Sequence, residues 1–475
     1  MYIPTIGLEI HVELKTKTKM FCDCLNDPDE KTPNKNICPV CLGHPGTLPT
    51  INKKAVEQVL KLGLALESEI PEFSKFDRKN YFYPDLPKGY QISQYDKPLT
   101  LGGNLNGVKL RRIHLEEDTA RLAHSADGKS SLVDFNRSSM PLMELVTEPD
   151  IKTGKEAVSF AKELQLILRY LDISDADMEK GQMRVEANIS ISKDNKLGTK
   201  VEVKNLNSFR AVEDATDYEI KRQEEVLERG EAVVHETRGW DENKKITISQ
   251  RAKEEAHDYR YFPEPDLPPL DLTSSKDIDL EKLKSEIPEL PKAMRERFVK
   301  EYNLSVGQAD ALIEDKILTI YFEEAASKPV FTGIDKDRIF MLLYNYLTSD
   351  LKGLINEHKI SASELKISPK DFAQLVALIG KEEISSRLAK DILKEMFLTG
   401  AEASEIINSK GLSQISDDGT VEKAILEIIK ENPKAIEDYK KGKQNAFQFL
   451  IGQTMAKLKG RGKPEKIKEI LDKNL

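Results

Sequence analysis

The 475-residue sequence predicts an α+β protein, with a mixed or antiparallel sheet in its first part, an all-α segment after it and a small helical tail. Three observations carry that expectation. Segments 7–14, 184–191 and 201–204 alternate apolar and polar residues, as half-buried strands do. Between them lie apolar stripes of helical period, without the even spacing of repeated strand–helix–strand units. After a proline-rich stretch that ends near residue 290, helical periodicity dominates and strand signals almost vanish. A chain of this length exceeds a single core, and its composition shifts place divisions at 1–290, 291–407 and 408–475.

The first strand, at 7–14, puts Leu8, Ile10, Val12 and Leu14 on one face and Glu9, His11 and Glu13 on the other. The apolar face anchors the strand, and the other carries two carboxylates around an imidazole. Residues 51–66 read as a helix with Thr50 as a possible N-cap, striped by Val56, Val59, Leu60 and Gly63. In 113–118, Glu117 continues the face of Ile113 and Leu115, while His114, Glu116 and Asp118 share the other. In 140–146 both faces are apolar and Glu144 is the only charge. A second helix spans 156–171 through Phe160, Leu164, Ile167 and Leu171. A third spans 208–229, capped by Asn207 or Ser208 and closed by Gly230. The prolines of 262–269 and 287–291 read as an extended linker.

Apolar content of 39% and charged content of 32% describe an ordinary soluble chain. No run of about 18 apolar residues occurs, and the N-terminus lacks a basic segment followed by an apolar one, so a cytoplasmic location is expected. The net charge of −9 is uneven. From Tyr439 to Leu475 there are nine Lys, one Arg, two Glu and one Asp, a balance of +7 on a body of −16. Such a tail fits either a polyanion partner or a lysine-rich helical surface.

All four cysteines lie in 22–41, as Cys22-x-Cys24 and Cys38-x-x-Cys41, a spacing that matches a tetrahedral zinc site. His44 could replace one thiolate. Two disulfides would require an oxidising compartment, which nothing else in the chain suggests. The polar loop cannot hold its shape by apolar burial, so the zinc would be structural, and no cysteine is left over as a nucleophile. The chain has no Walker A sequence, no G-x-G-x-x-G and no G-x-S-x-G.

A buried carboxylate is costly unless paired or ligating a metal. Glu144 and Glu117 therefore fit either ion pairs with an arginine such as Arg137, or ligands that join Glu9 and His11. That oxygen-rich set with one imidazole suits Mg²⁺ that bridges nucleotide phosphates better than it suits zinc. The blocks 75–91 and 258–264 interleave cations with tyrosines and phenylalanines, which suits phosphates and bases, or else small local cores.

Taken together, segments 7–14, 38–46, 76–94, 114–118, 204–210, 258–270, 411–416 and 449–453 closely resemble the B subunit of the aspartyl/glutamyl-tRNA(Asn/Gln) amidotransferases, along the whole chain. The resemblance implies a cradle-like catalytic domain, a helical domain and a tail domain that holds tRNA. It implies use of ATP and Mg²⁺ to phosphorylate the side-chain carboxyl of Glu or Asp misacylated on tRNA(Gln) or tRNA(Asn), then amidation by ammonia. It carries the Mg²⁺ ligands onto Glu9, His11, Glu117 and Glu144, and zinc onto Cys22, Cys24, Cys38 and Cys41. Lys79, Tyr81, Arg184 and Arg251 are expected near substrate or nucleotide from their charge and motif position. Glu186 stands where many relatives are expected to carry Asp. The implied partners are a glutaminase of the amidase type, a small third protein that clamps the pair, and the charged tRNA. Two other readings remain at this point: a non-catalytic tRNA-binding scaffold with a zinc module, and the archaeal-type relative, for whose inserted domain 269–290 leaves no room.

Overall fold

The computed structural model describes residues 2–125, 127–194, 196–252, 259–411, 418–458, 462 and 464–475. The chain divides into two compact units, Met1–Pro291 and Lys292–Leu475.

The first unit is built on a nine-stranded sheet. Its strands are β1 (Ile3–Glu13), β2 (Thr100–Leu101), β3 (Asn104–Leu105), β4 (Val108–Glu117), β5 (Pro141–Thr147), β6 (Met183–Ser192), β7 (Val201–Leu206), β8 (Glu236–Asp241) and β9 (Ile246–Ala252). They lie in the order β9-β8-β7-β6-β1-β5-β4-β2, with β3 pairing β4. All described pairings are antiparallel except β7 with β8. The fold is thus α+β, and β1, the strand with the clearest alternation, lies inside the sheet. Its apolar face (Ile6, Leu8, Ile10, Val12) joins Ile113, Leu115, Met143, Leu145, Val185, Ala187 and Val203 in one core.

Three helices cover that face. α1 (Lys53–Ala65) buries Val56, Val59 and Leu60; α2 (Gly154–Tyr170) buries Phe160, Leu164 and Leu168; α3 (Phe209–Glu228) buries Ala211, Val212 and Ala215. Burying Val or Leu side chains of this kind contributes about 1.5–3 kcal/mol each. α1 starts later than expected, with Asn52 rather than Thr50 at its cap. The Asn52 side chain accepts from the Ala55 N–H at 3.3 Å while donating to the carbonyls of Thr18 and Lys19. Only an amide can do both, so the cap also ties the helix to the loop beneath it. Ser208 caps α3 by accepting from the Ala211 N–H at 3.1 Å, and Gly230, at φ +76°, ends it.

The proline-rich stretch is not a free linker. Phe262–Pro263 pairs with Asp77–Arg78, and Leu270–Asp271 pairs with Phe73–Ser74. Leu267 and Leu272 are buried in the main core. Proline forbids a ladder donor only at its own position, so a two-residue edge strand tolerates it. The division falls after it, at Pro291. Residues 77–80, 90–93 and 262–263 form a small separate sheet.

The second unit has helices and no strand among its described residues. The helices Asp418–Glu431, Pro433–Lys440, Gln444–Lys457 and Pro464–Asn474 gather a core of their own around Val421, Ile425, Leu450, Ile467 and Leu471. The motif at 411–416 lies, but for Gly411, outside the described residues, as does Asp258. No helix among the described residues is long and apolar enough to cross a membrane.

Candidate functional site

The polar face of the sheet carries the site. His11 on β1 sits opposite Glu144 on β5, and Glu144 sits opposite His114 on β4. One row across three strands thus reads His–Glu–His. Side chains directly opposite in antiparallel strands have Cβ atoms about 4.5–5.5 Å apart, so register alone brings these groups together. Glu144 Oε2 lies 3.3 Å from His11 Nε2 and 3.5 Å from His114 Nε2. Arg112 Nη2 is 3.6 Å from the other Glu144 oxygen. On the next row Glu9 faces Glu186 of β6. Glu116 Oε1 is 3.6 Å from His11 Nε2. Donor atoms of Glu9, His11 and Glu144 lie within 4.8 Å of one another, as do those of His114, Glu116 and Glu144, and of Glu9, Glu186 and Glu202.

The electrostatics follow from gathering acids in a buried place. Burial, with Glu144 and Glu186 adding to it, pushes the Glu9 carboxyl up to about 7. Burial also raises Glu116. It lowers His114 to about 4, so that imidazole is neutral at pH 7. For His11 burial acts downward, but the Glu144 hydrogen bond and the nearby carboxylates outweigh it and lift it to about 9. Glu144 is held well below its ordinary value: burial opposes its charge, and His114, His11 and Lys79 more than offset that. A set of carboxylates that holds excess protons is one whose charge a divalent cation would relieve, and the oxygen-rich donor set fits Mg²⁺.

A cavity of about 630 Å³ opens over this face. Glu9, His114 and Glu144 line it, together with Lys79, Arg112 and Lys204. The Lys79 ammonium lies 4.9 Å from the Tyr259 ring centroid and 5.9 Å from that of Tyr81. Burial works against its charge, but Glu116, Tyr261 and Glu144 hold its pKa well above the ordinary value. Lys204 Nζ is 2.9 Å from Glu186 Oε2. Tyr81 is half-buried beside Lys79, and burial raises its phenol. Arg184 stands opposite His11 but turns to Asp118, 2.9 Å away, where Arg137 also pairs at 3.2 Å. Arg137 therefore neutralises Asp118 rather than Glu144 or Glu117. The backbone of Arg251 sits in β9 opposite Thr237, and its side chain lies outside what the structure describes.

Glu117 is not brought into the cluster. It points to the apolar face, as its place beside Ile113 and Leu115 implies, where Lys88 Nζ lies 2.6 Å from its carboxylate and the Ile92 N–H donates at 2.9 Å. This is a buried ion pair, whereas Glu116, one residue earlier, faces His11. Alternation decides between them: adjacent strand residues cannot share a face. Removing the lysine as Lys88→Met is expected to destabilise the fold by about 1–3 kcal/mol, because Glu117 stays buried without its cation. A thermal-melt comparison with Glu117→Gln/Lys88→Met, in which the orphan charge is gone, should show most of that loss restored. His114, Glu116, Glu202 and Lys204 were readable as polar-face positions, but nothing in the sequence says which strands are neighbours.

The four cysteine sulfurs form a second group, all within 4.8 Å of one another. A tetrahedral site with Zn–S near 2.3 Å needs sulfurs about 3.8 Å apart. The Cys38 N–H donates to Cys41 Sγ at 3.1 Å, and Lys19, buried, places Nζ 3.9 Å from the same sulfur. The Cys22 hydrogen bond outweighs burial and, with Lys19, lowers Cys41 to about 5, while Cys22 is raised. Such a donor set could hold a metal such as zinc. His44 is not part of it; its N–H closes a turn on the Pro39 carbonyl.

Residues 4–277 match the family model described as the GatB/GatE catalytic domain, and residues 332–475 match the one described as the GatB domain. The B subunit of the aspartyl/glutamyl-tRNA(Asn/Gln) amidotransferase of Dehalococcoides mccartyi is 46% identical over 489 residues, covering 100% of this chain and 99% of its own. The protein of the same name from Thermotoga maritima is 46% identical over 488 residues, with 100% and 99% covered. That of Persephonella marina is 44% identical over 482 residues, with 99% of each covered.

Proposed function

Because this chain belongs to the B-subunit family of the aspartyl/glutamyl-tRNA(Asn/Gln) amidotransferases, each a component of a ligase complex, we propose that it phosphorylates and then amidates the side-chain carboxyl of Glu or Asp misacylated on tRNA(Gln) or tRNA(Asn). The observation that supports this reading is the His11–Glu144–His114 row beside Glu9, set under a cavity rimmed by cations.

A carboxylate is a poor acyl donor while its oxygens carry the charge. In the proposed reaction a carboxylate oxygen attacks the γ-phosphorus of ATP, the bond to the bridging oxygen breaks and ADP leaves. Ammonia then attacks the acyl carbon, the carbon–oxygen bond breaks, inorganic phosphate departs with the electron pair and nitrogen sheds a proton. Mg²⁺, when held by Glu9, His11 and Glu144, supplies neutralisation of phosphate charge. The rest falls to the chain. Lys79 stays cationic in its tyrosine surround and can meet the transferring phosphoryl group, with Arg112 and Lys204 along the wall. His114, neutral, does not repel a cation as an imidazolium would. Arg184, fixed by Asp118, edges the site. Lys204, paired with Glu186, spans a position where the family resemblance leads one to expect a shorter Asp.

Ammonia comes, in this reading, from the glutaminase partner (the A subunit of the complex), with a small C subunit completing the assembly in the cytoplasm. Zinc in the Cys22–Cys24–Cys38–Cys41 module holds a loop and takes no part in the chemistry. The tail, 408–475, through its basic end from Tyr439 to Leu475, meets tRNA phosphates and positions the substrate without reading bases.

The test uses the complex co-expressed with its partners, supplied with Mg²⁺, γ-labelled ATP, glutamyl-tRNA and ammonium in place of glutamine. Labelled phosphate release should require charged tRNA. Release that proceeds equally with uncharged tRNA would sink the proposal. Deletion of the chain after residue 416 should raise the Michaelis constant for tRNA while glutamine hydrolysis by the partner continues; an unchanged constant would remove the tail from tRNA binding.

A further inference from the structure

The cavity has an aromatic wall that the chemistry above does not use. Tyr95 and Tyr261 stack with ring centroids 4.4 Å apart and planes 11° from parallel. Tyr259 meets Tyr261 edge-on at 6.1 Å, and all three rings line the cavity that also contains Glu9 and Glu144. Tyr261 covers one face of Tyr95, yet Tyr95 remains 45% exposed, so the stack is open toward solvent.

The stack is held from outside the cavity. Tyr95 donates its backbone N–H at 3.0 Å to Asp77, a buried carboxylate that Lys75 pairs on its other oxygen. Tyr261 precedes the Phe262–Pro263 strand, which pairs with Arg78 and Asp77. That strand is clamped by Arg78, whose fork meets both Glu264 oxygens at 2.7 and 2.8 Å, and by the Glu264 N–H on the Phe76 carbonyl. Bidentate pairing of this kind fixes orientation as well as position. One short strand, 77–80, therefore anchors both rings and also carries Lys79.

A preformed, half-open tyrosine stack beside the cavity's cations and a cluster of potential metal ligands matches what a nucleotide needs: aromatic area for its base and charge for its phosphates. We propose that Tyr95 and Tyr261 form the platform on which an adenine base stacks in this cavity. The proposal rests on the phosphoryl-transfer reading and names its base-positioning residues. Adenine enters that reaction from two sources, ATP and the terminal adenosine of the charged tRNA, and the platform takes one of them.

The test uses the full chain in complex with its partners and the fluorescent base 2-aminopurine, which is quenched when stacked. One arm supplies 2-aminopurine riboside triphosphate, the other glutamyl-tRNA with 2-aminopurine at its 3′ end. One of the two should be quenched by the wild type, equally by Tyr95→Phe, and not by Tyr95→Leu. The Michaelis constant for that same ligand should rise about tenfold in Tyr95→Leu, with kcat within about twofold, as loss of one base stack predicts. Glu264→Gln, which loosens the clamp and leaves both rings present, should raise the same constant. Quenching of the triphosphate assigns the platform to ATP; quenching of the tRNA end assigns it to the acceptor. If both ligands bind and neither is quenched, or if Tyr95→Leu leaves both constants unchanged while charged-tRNA-dependent phosphate release persists, the platform is overturned and the kinase reading stands. A wild-type complex that binds no triphosphate and releases no phosphate overturns both.

Discussion

Glu144→Gln is expected to cut charged-tRNA-dependent phosphate release by a factor on the order of 10³, with glutamine hydrolysis by the partner unchanged. The substitution keeps volume and hydrogen-bonding capacity and removes one charge. In the native site Glu144 lies between His11 at 3.3 Å and His114 at 3.5 Å and shares a potential ligand set with Glu9. Its loss removes the central anion on which that set depends, and a factor of 10³ corresponds to about 4 kcal/mol of transition-state stabilisation. A melting temperature within a few degrees of wild type would show that the loss is chemical. Release that survives the change would move the chemistry away from these carboxylates and favour the scaffold reading. Glu117→Gln is the instructive companion. The structure puts Glu117 on the other face of the sheet, paired with Lys88, so this change should lower stability and leave most of the phosphate release intact. A loss as deep as that of Glu144→Gln would mean that Glu117 reaches the cation after all.

The second large effect is expected from Cys41→Ser. Cys41 accepts the Cys38 N–H, faces Lys19, and is pushed down in pKa by the Cys22 hydrogen bond. Structural zinc supplies an apparent 10–16 kcal/mol, roughly, to isolated zinc modules at pH 7. Losing one thiolate should empty the site and release the surrounding loop. Metal analysis should fall from about one zinc per chain to near none. Limited proteolysis should then cut between residues 22 and 41 faster than in the wild type. On the proposed loop-holding role of the module, phosphate release by the fraction that stays folded should be close to normal. Zinc retained at full occupancy in Cys41→Ser, or no zinc in the wild type, would remove the metal from this module.

Much of the first unit was legible because period two is local. Leu8, Ile10 and Val12 alternate with Glu9 and His11, and the structure buries the one set and gathers the other. The same rule, applied to 113–118, already separated Glu117 from His114 and Glu116. The resemblance placed Glu117 among the metal ligands, while the fold turns it toward Lys88. The proline-rich stretch was misleading for a related reason. Prolines signal extended chain, but whether that chain is a linker or an edge strand depends on a partner, here Asp77–Arg78, some 185 residues earlier in the sequence.

The residue order alone thus settles the content of each face: which positions are apolar, which strands are buried on both sides, where four thiols sit close enough along the chain to share a metal. Those are consequences of side-chain alternation and short loops, and they need no knowledge of neighbours. Which strands lie side by side is a matter for the folded chain. The order β6-β1-β5-β4 sets His11 against Glu144 and Glu144 against His114, and the shift of one row sets Glu9 against Glu186. Strand pairing is a long-range choice made by core packing on the opposite face, where Ile10, Leu145 and Ile113 must meet. The apolar register, buried under the helices, is what aligns the charges in the cavity.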